Sequence, residues 1–323
     1  VIDFSKRSVL VAGGAGFLGT NLALRLLKLG ARVRVTLHDR PLKTALLGAE
    51  VLSADLRKPE DCARAVDGMD YVVLAAAQTA GAAVMRANPL SQVTPNVLIN
   101  TLMLEAAYLA KVRKFLFISS GAAYPPTGDR PVSEDEMFDG DPYDAYFSVA
   151  WMKRYAEILC RTYATKISNP MATVVVRPSN VYGPHDKFDY ATSHVTAALM
   201  RRVVERLSPL EVWGTGNDVR DLLYVDDFVD GLLAALSIDL PHLAINICSG
   251  TGYSVRQILE TLLDVDGFDN ADIQFDPTKP STIPARLMDG SAAKRLLGFE
   301  PKVPLREGFR RTIDWYRQQP PPN

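Results

Sequence analysis

Residues 8–19 read SVLVAGGAGFLG. The stretch 8–12 is a continuous run of strand length, glycines follow at 13, 14, 16 and 19, and Phe17, Leu18, Leu22, Leu26 and Leu27 then recur at helical spacing until Gly30. Strand, turn and helix in that order give the glycines separate tasks. Gly13 permits a tight turn, Gly16 lets the backbone approach a pyrophosphate, and Gly19 allows close packing of the helix, whose amino terminus supports the phosphate charge. Glycine-rich turns close many strands for steric reasons alone. The flanking strand and amphipathic helix favour a dinucleotide site here.

Working outward, short non-alternating runs recur at 33–37, 50–53, 71–77, 115–118, 173–176 and 244–247, as strands buried on both faces require, with helical stretches between them. The pattern predicts an α/β fold: a doubly wound parallel (Rossmann) sheet over 1–183, with 221–249 returning to it. A smaller C-terminal substrate-binding domain is expected over 184–220 and 250–323, where prolines such as Pro184, Pro209, Pro280 and Pro301 punctuate shorter elements. Residues 124–142, rich in acids and turn formers, form a loop at the carboxyl end of a strand, the end that faces ligands in such sheets. The tail 318–323 is expected to fray.

Composition excludes several classes. With 36 basic and 37 acidic residues the net charge is -1, so no global field attracts nucleic acid or an anionic membrane, and an anionic ligand must meet a local basic site. The cysteines Cys62, Cys160 and Cys248 are far apart and odd in number, and the four histidines lack metal spacing, which points to reduced thiols and no metal. The longest apolar run, 71–77, falls far short of the ~20 residues a spanning helix needs, and no signal peptide is read at the start. The expectation is a soluble, cytoplasmic protein.

Which nucleotide the turn would hold depends on the end of the second strand, where an acid accepts the ribose hydroxyls of NAD. Leu37 stands there, followed by His38, Asp39 and Arg40. His38 and Arg40 can approach a 2′-phosphate, which favours NADP, while Asp39 keeps NAD open and Arg40 reads equally well as a solvated loop charge. Asp55 and Leu56 suit the adenine edge, or an ordinary turn.

Three further motifs, FISSGAAYPP (117–126), RPSNVYGPHDKF (177–188) and VWGTGNDVRDLLYVDD (212–227), resemble the extended short-chain dehydrogenase/reductases of the NAD-dependent epimerase/dehydratase family, which act on nucleotide sugars. Within that family the GDP-L-fucose synthases are most similar, through LAAAQTAGAA (74–83), YGPHDKFDYATSHVTAALMRR (182–202) and FDPTKPSTIPARLMD (275–289). The resemblance implies roles for individual residues. Ser120 would be the catalytic serine, bonded to the sugar oxygen at the carbon receiving hydride; otherwise it caps its loop. Lys153 would bond the nicotinamide ribose and lower a tyrosine pKa. His194 would be the general acid of epimerisation, where a lone histidine is more often a helix-surface residue. Phe17, Leu18, Ala75, Ala76, Ala77 and Pro178 would line the cofactor. Asn180 would be a substrate-side amide, with Arg202, Arg220 and Arg286 on the diphosphate or nucleotide and Trp213 lining that site. Arg202 reads alternatively as a solvated helix charge.

Two departures stand out. Val149 occupies the place of the catalytic tyrosine, four residues before Lys153, and Ala122 that of the cysteine base of GDP-L-fucose synthase. Tyr146, seven residues before Lys153 on the same expected helical stripe, is a possible stand-in acid, or it packs. The implied activity is NADP-dependent hydride transfer at C4 of a keto sugar nucleotide by a reductase/epimerase. Alternatives are a nucleotide-sugar 4-epimerase, a 4,6-dehydratase, or a binding protein impaired by Val149. Helices over 96–110 and 146–163 would pair two chains as a C2 homodimer.

Overall fold

The structure, a computed structural model, describes residues 2–42, 44–79, 88, 90–190, 193–279 and 283–319. Pro280 and parts of the 74–83, 182–202 and 275–289 motifs lie outside these residues, as does the end of the tail. Strand β1 (Ser8–Ala12) is buried at every position and alternates between two cores. Val9 and Val11 face helix α1 (Phe17–Lys28), while Leu10 and Ala12 face the layer of α2 (Pro59–Val66) and α3 (Leu90–Leu109). Burial on both sides explains the unbroken apolar run.

Around β1 the chain builds a seven-stranded parallel sheet in the order β10-β6-β5-β4-β1-β2-β3. Its members are β2 (Arg32–Leu37), β3 (Glu50–Ser53), β4 (Tyr71–Leu74), β5 (Lys114–Ile118), β6 (Ala172–Pro178) and β10 (His242–Ile247). Helix α4 (Phe147–Thr165) joins α2 and α3 on one face, and α6 (Val225–Ser237) joins α1 on the other. The expected strand 71–77 stops at Leu74. Its neighbour β1 ends at Ala12, the partner of Leu74, and turns away at Gly13, so the ladder on that side closes with the Ala75 N–H donating to the Ala12 carbonyl at 3.0 Å.

A second, four-stranded sheet is centred on β9 (Val219–Tyr224), which pairs with β7 (Asn180–Tyr182), β11 (Gly252–Ser254) and β13 (Ala285–Arg286). Parallel β8 (Leu210–Trp213) and β12 (Ile273–Asp276) form a separate pair. Helices α5 (Val195–Val204), α7 (Val255–Asp266) and α9 (Leu305–Arg317) close this half around its own apolar cluster. The three cysteines are free and buried, and no helix among the described residues is long and apolar enough to cross a membrane.

Candidate active site

The glycine turn is constrained from several sides. Gly13 has φ +94°, and a Cβ there would lie 2.7 Å from the Ala76 backbone; at Gly19 it would lie 2.1 Å from the Gly13 carbonyl oxygen. The close approach at Gly19 is thus to the turn itself. A Cβ on Gly16 would meet only that same carbonyl, at 3.3 Å, so the space before the α1 amino terminus holds no side chain. Thr36 fixes the turn, accepting from the Gly13 N–H at its hydroxyl (2.9 Å) and from the Gly14 N–H at its carbonyl (3.1 Å). Gly14 has a steric task that the sequence reading missed: its Cβ would collide with Val35 at 2.5 Å. Phe17 and Leu18 point their side chains into the second apolar cluster, leaving backbone N–H groups for a ligand. Ala75, Ala76 and Ala77 follow β4 beside the turn and become progressively exposed.

Beyond β2, His38, Asp39 and Arg40 are exposed. His38 pairs with Asp39 at 2.9 Å, whereas Arg40 has no ion pair among the described residues. Asp55 is held by Arg57 through contacts of 2.7 and 2.9 Å, and this bidentate bond brings its pKa down to about 2. Arg57, two residues after Asp55, escaped the sequence reading although it adds a cation beside His38. Leu56 needs correction: its side chain is buried in the core, so only its backbone can face an adenine.

The candidate catalytic residues Ser120 and Lys153 come together where β5 meets α4. Ser120 lies two residues past β5 and accepts from the Ala122 N–H at 3.1 Å, so the capping role is realised while its own proton stays available. The Lys153 ammonium donates to the Ile118 carbonyl at 2.8 Å and lies 4.7 Å above the Phe117 ring. Burial lowers its pKa to about 8, against the opposing charge of Glu157 one turn along. Val149, one turn before Lys153, is half-buried. Behind this corner Glu157 accepts from Ser119 and pairs with Arg177 at 2.6 Å. Arg177 also donates to the Tyr124 hydroxyl (2.8 Å), which donates to Asn246 (2.6 Å).

Tyr146 departs from expectation. It is not within α4 but caps it, as the last residue of a 3-10 turn (Asp144–Tyr146), and it packs on a small cluster containing Tyr124, Met137 and Cys248. Arg286 is also corrected. It is 4% exposed, and its terminal nitrogens donate to the Tyr124 and Pro125 carbonyls at 3.1 Å each, so that end of the guanidinium is not open to a diphosphate. Arg154, fully buried, likewise donates to the Ala123 (2.9 Å) and Gly140 (2.7 Å) carbonyls. Two arginines therefore hold the three residues that follow Ala122.

In the smaller half, Asn180 opens β7, and His194 is the exposed N-cap residue of α5. Desolvation by the surrounding protein and, second, the charge of Lys187 lower the His194 pKa. Lys187, in the PHDK stretch, donates to Thr79 at 2.6 Å and so bridges to the segment after β4. Arg202 lies in the last turn of α5 and donates to the carbonyl of Glu211 in β8, while Trp213, 49% exposed, ends β8 with Lys279 5.7 Å from its ring. Arg220 is half-buried and donates to the Val219 (2.9 Å) and Ile283 (2.6 Å) carbonyls. Pro178 ends β6. No group of metal-ligating side chains occurs among the described residues.

Residues 9–248 match the model of the NAD dependent epimerase/dehydratase family. The chain belongs to that family. Among curated relatives, the probable GDP-L-fucose synthase 1 of Oryza sativa subsp. japonica is 33% identical over 95% of this chain and 91% of its own. The GDP-L-fucose synthase of Escherichia coli is 30% identical over 97% of both chains. Among solved structures, the Thermotoga maritima UDP-glucose 4-epimerase with UDP-glucose superposes with a TM-score of 0.85 at 28% identity, covering 96% of this chain and 99% of that one. Family membership implies an NAD(P)-type cofactor, and the turn fits it: Gly16 leaves the helix terminus clear for a pyrophosphate.

Proposed function

We propose that the chain is an NADP-dependent nucleotide-sugar oxidoreductase, transferring hydride at C4 of a keto sugar in the manner of GDP-L-fucose synthase-like reductase/epimerases. The observation that carries this reading is the Lys153 bond to Ile118, 2.8 Å long, which draws the ammonium to the strand end that bears Ser120. When bound, the reduced nicotinamide supplies hydride. Gly13, Gly16 and Gly19 admit the pyrophosphate, Ser120 donates to the C4 oxygen and Lys153 orients the ribose. Asn180, Arg202, Trp213 and Arg220 take the sugar nucleotide, supported by the relatives named for GDP- and UDP-sugars. Leu37 and Arg40, which has no ion pair among the described residues, support the 2′-phosphate. Ala122 offers no thiolate, which favours chemistry at one carbon over double epimerisation.

The division at 183, with 221–249 returning to the cofactor half, belongs to the same reading. So does a homodimer through α3 and α4, whose Leu98, Phe147, Trp151 and Tyr155 are exposed. The test is turnover of GDP-, UDP-, CDP- and dTDP-linked keto sugars with NADPH or NADH. Val149 favours a second reading, a binding protein with little turnover, which predicts tight binding of both ligands and no consumption of NADPH.

A further inference from the structure

We infer that Lys153 is itself the proton donor to the sugar oxygen, taking over the step for which Val149 leaves no hydroxyl. This rests on the hydride-transfer reading above. Tyr146 is the N-cap of α4, off the helical stripe that carries Lys153, and is partly buried against the cluster of Tyr124, Met137 and Cys248. The Tyr124 hydroxyl is engaged with Arg177 and Asn246, and burial raises its pKa. His194, with a lowered pKa, is largely neutral near pH 7. The Ser120 hydroxyl polarises a carbonyl but is far too weak an acid to be the net proton source.

Lys153 has what the step needs. An ammonium carries three N–H donors. One is bonded to Ile118, leaving two for the ribose and the sugar oxygen. Burial of the nitrogen, and not a neighbouring charge, lowers the cost of releasing a proton. Glu157, on the same helix, would hold the ammonium charged, but its carboxylate is shared with Arg177 from β6 and with Ser119 from the end of β5. From β5 the Phe117 ring and the Ile118 carbonyl face the nitrogen, and neither carries a charge. With a pKa near 8, the group is mostly protonated at neutral pH yet close enough to ambient pH to transfer efficiently.

The step balances. A bound dihydronicotinamide would supply the hydride that forms the C4–H bond, with the carbonyl π pair moving onto oxygen. That oxygen takes a proton from Lys153 Nζ, forming O–H as N–H breaks. The ketone is reduced, the dihydronicotinamide oxidised, and solvent reprotonates the neutral amine.

The experiment is the pH dependence of NADPH consumption with a GDP-linked 4-keto sugar, for the parent chain, Lys153→Arg, Val149→Tyr and the double variant. The parent rate should fall as pH rises through about 8, where the ammonium loses its proton. Arginine keeps the charge and the hydrogen bonds but does not deprotonate. Lys153→Arg should lose ~10²-fold or more in the parent and roughly tenfold or less beside a restored tyrosine, since general acid catalysis contributes ~10²–10⁴-fold. Equal losses in both backgrounds, no fall near pH 8, or a parent that is inert while Val149→Tyr turns over would each overturn the assignment. No turnover by either chain on GDP-, UDP-, CDP- or dTDP-linked keto sugars would overturn the functional reading, and this assignment with it.

Discussion

Arg177 and Glu157 meet at 2.6 Å with 3% and 4% of their side chains exposed, one on β6 and the other on α4 directly behind Lys153. Removing one member of a buried pair strands the other charge, at a typical cost of ~3–5 kcal/mol, whereas replacing both with apolar residues is often near neutral. Arg177→Met should therefore lower the urea midpoint sharply, and adding Glu157→Leu should recover much of the loss. Additive losses would mean that the two charges are not coupled.

At Gly19 the nearest atom to an added Cβ is the Gly13 carbonyl oxygen at 2.1 Å, a backbone atom that cannot swing aside. Gly19→Ala should strain the turn by ~1–3 kcal/mol. Calorimetry should register weaker NADPH binding together with a lowered Tm. Unchanged binding would remove the glycine turn from the cofactor site.

Cofactor preference can be separated at two arginines. Arg40→Ala should weaken NADPH by ~1.5–3 kcal/mol, as loss of a bond to a charged group does, and leave NADH unaffected. Arg57→Ala should act on both nucleotides, because it also releases Asp55. Equal affinity of the parent for NADPH and NADH would instead give Asp39 the deciding role.

Asp186, beside Lys187, is buried, and desolvation raises its pKa from 3.8 to about 7. The folded chain therefore binds this proton more tightly than the unfolded chain does. Between these two values stability falls as pH rises, and the penalty is complete above the folded pKa. Asp186→Asn should raise Tm at pH 8 and leave it nearly unchanged at pH 4. A gain of equal size at both would exclude titration as the cause.

Trp151, 40% exposed on α4, lies 6.5 Å from Phe147 ring to ring. If α3 and α4 pair two chains, sedimentation at micromolar concentration should give twice the 35.4 kDa chain mass. Trp151→Glu should shift it toward the monomer.

Much of the large sheet was legible because its strands are buried on both faces and interrupted by glycine and helical spacing, as residues 8–19 illustrate. The small sheet was harder to read. β7, β11 and β13 are two or three residues long and owe their pairing to β9, a contact that local pattern does not encode. Side-chain tasks divided similarly. Gly13 and Ser120 carry local signals, a turn and a cap. The burial of Arg286 depends on where Tyr124 and Pro125 come to lie, far away in sequence. Asp141 and Pro142 look like a helix start, yet the 3-10 turn at 144–146 delays α4 and takes Tyr146 off its stripe. Glu157 was missed although it lies one turn from Lys153, since an acid at that spacing usually marks a solvated helix face.

The return of β10 to the edge of the large sheet bears on how the chain is made. Among the described residues β6 pairs on that side with 242–247 alone, which are synthesised after the whole of the β7–β9 region. At ~5–20 residues per second, a nascent chain carries an open row of β6 N–H and C=O groups for roughly several seconds. During that interval it is a template for strand addition from a neighbour on the same polysome. A fragment ending at residue 183 would keep that edge permanently, so expressing the first half alone should yield aggregate or a chaperone-bound species.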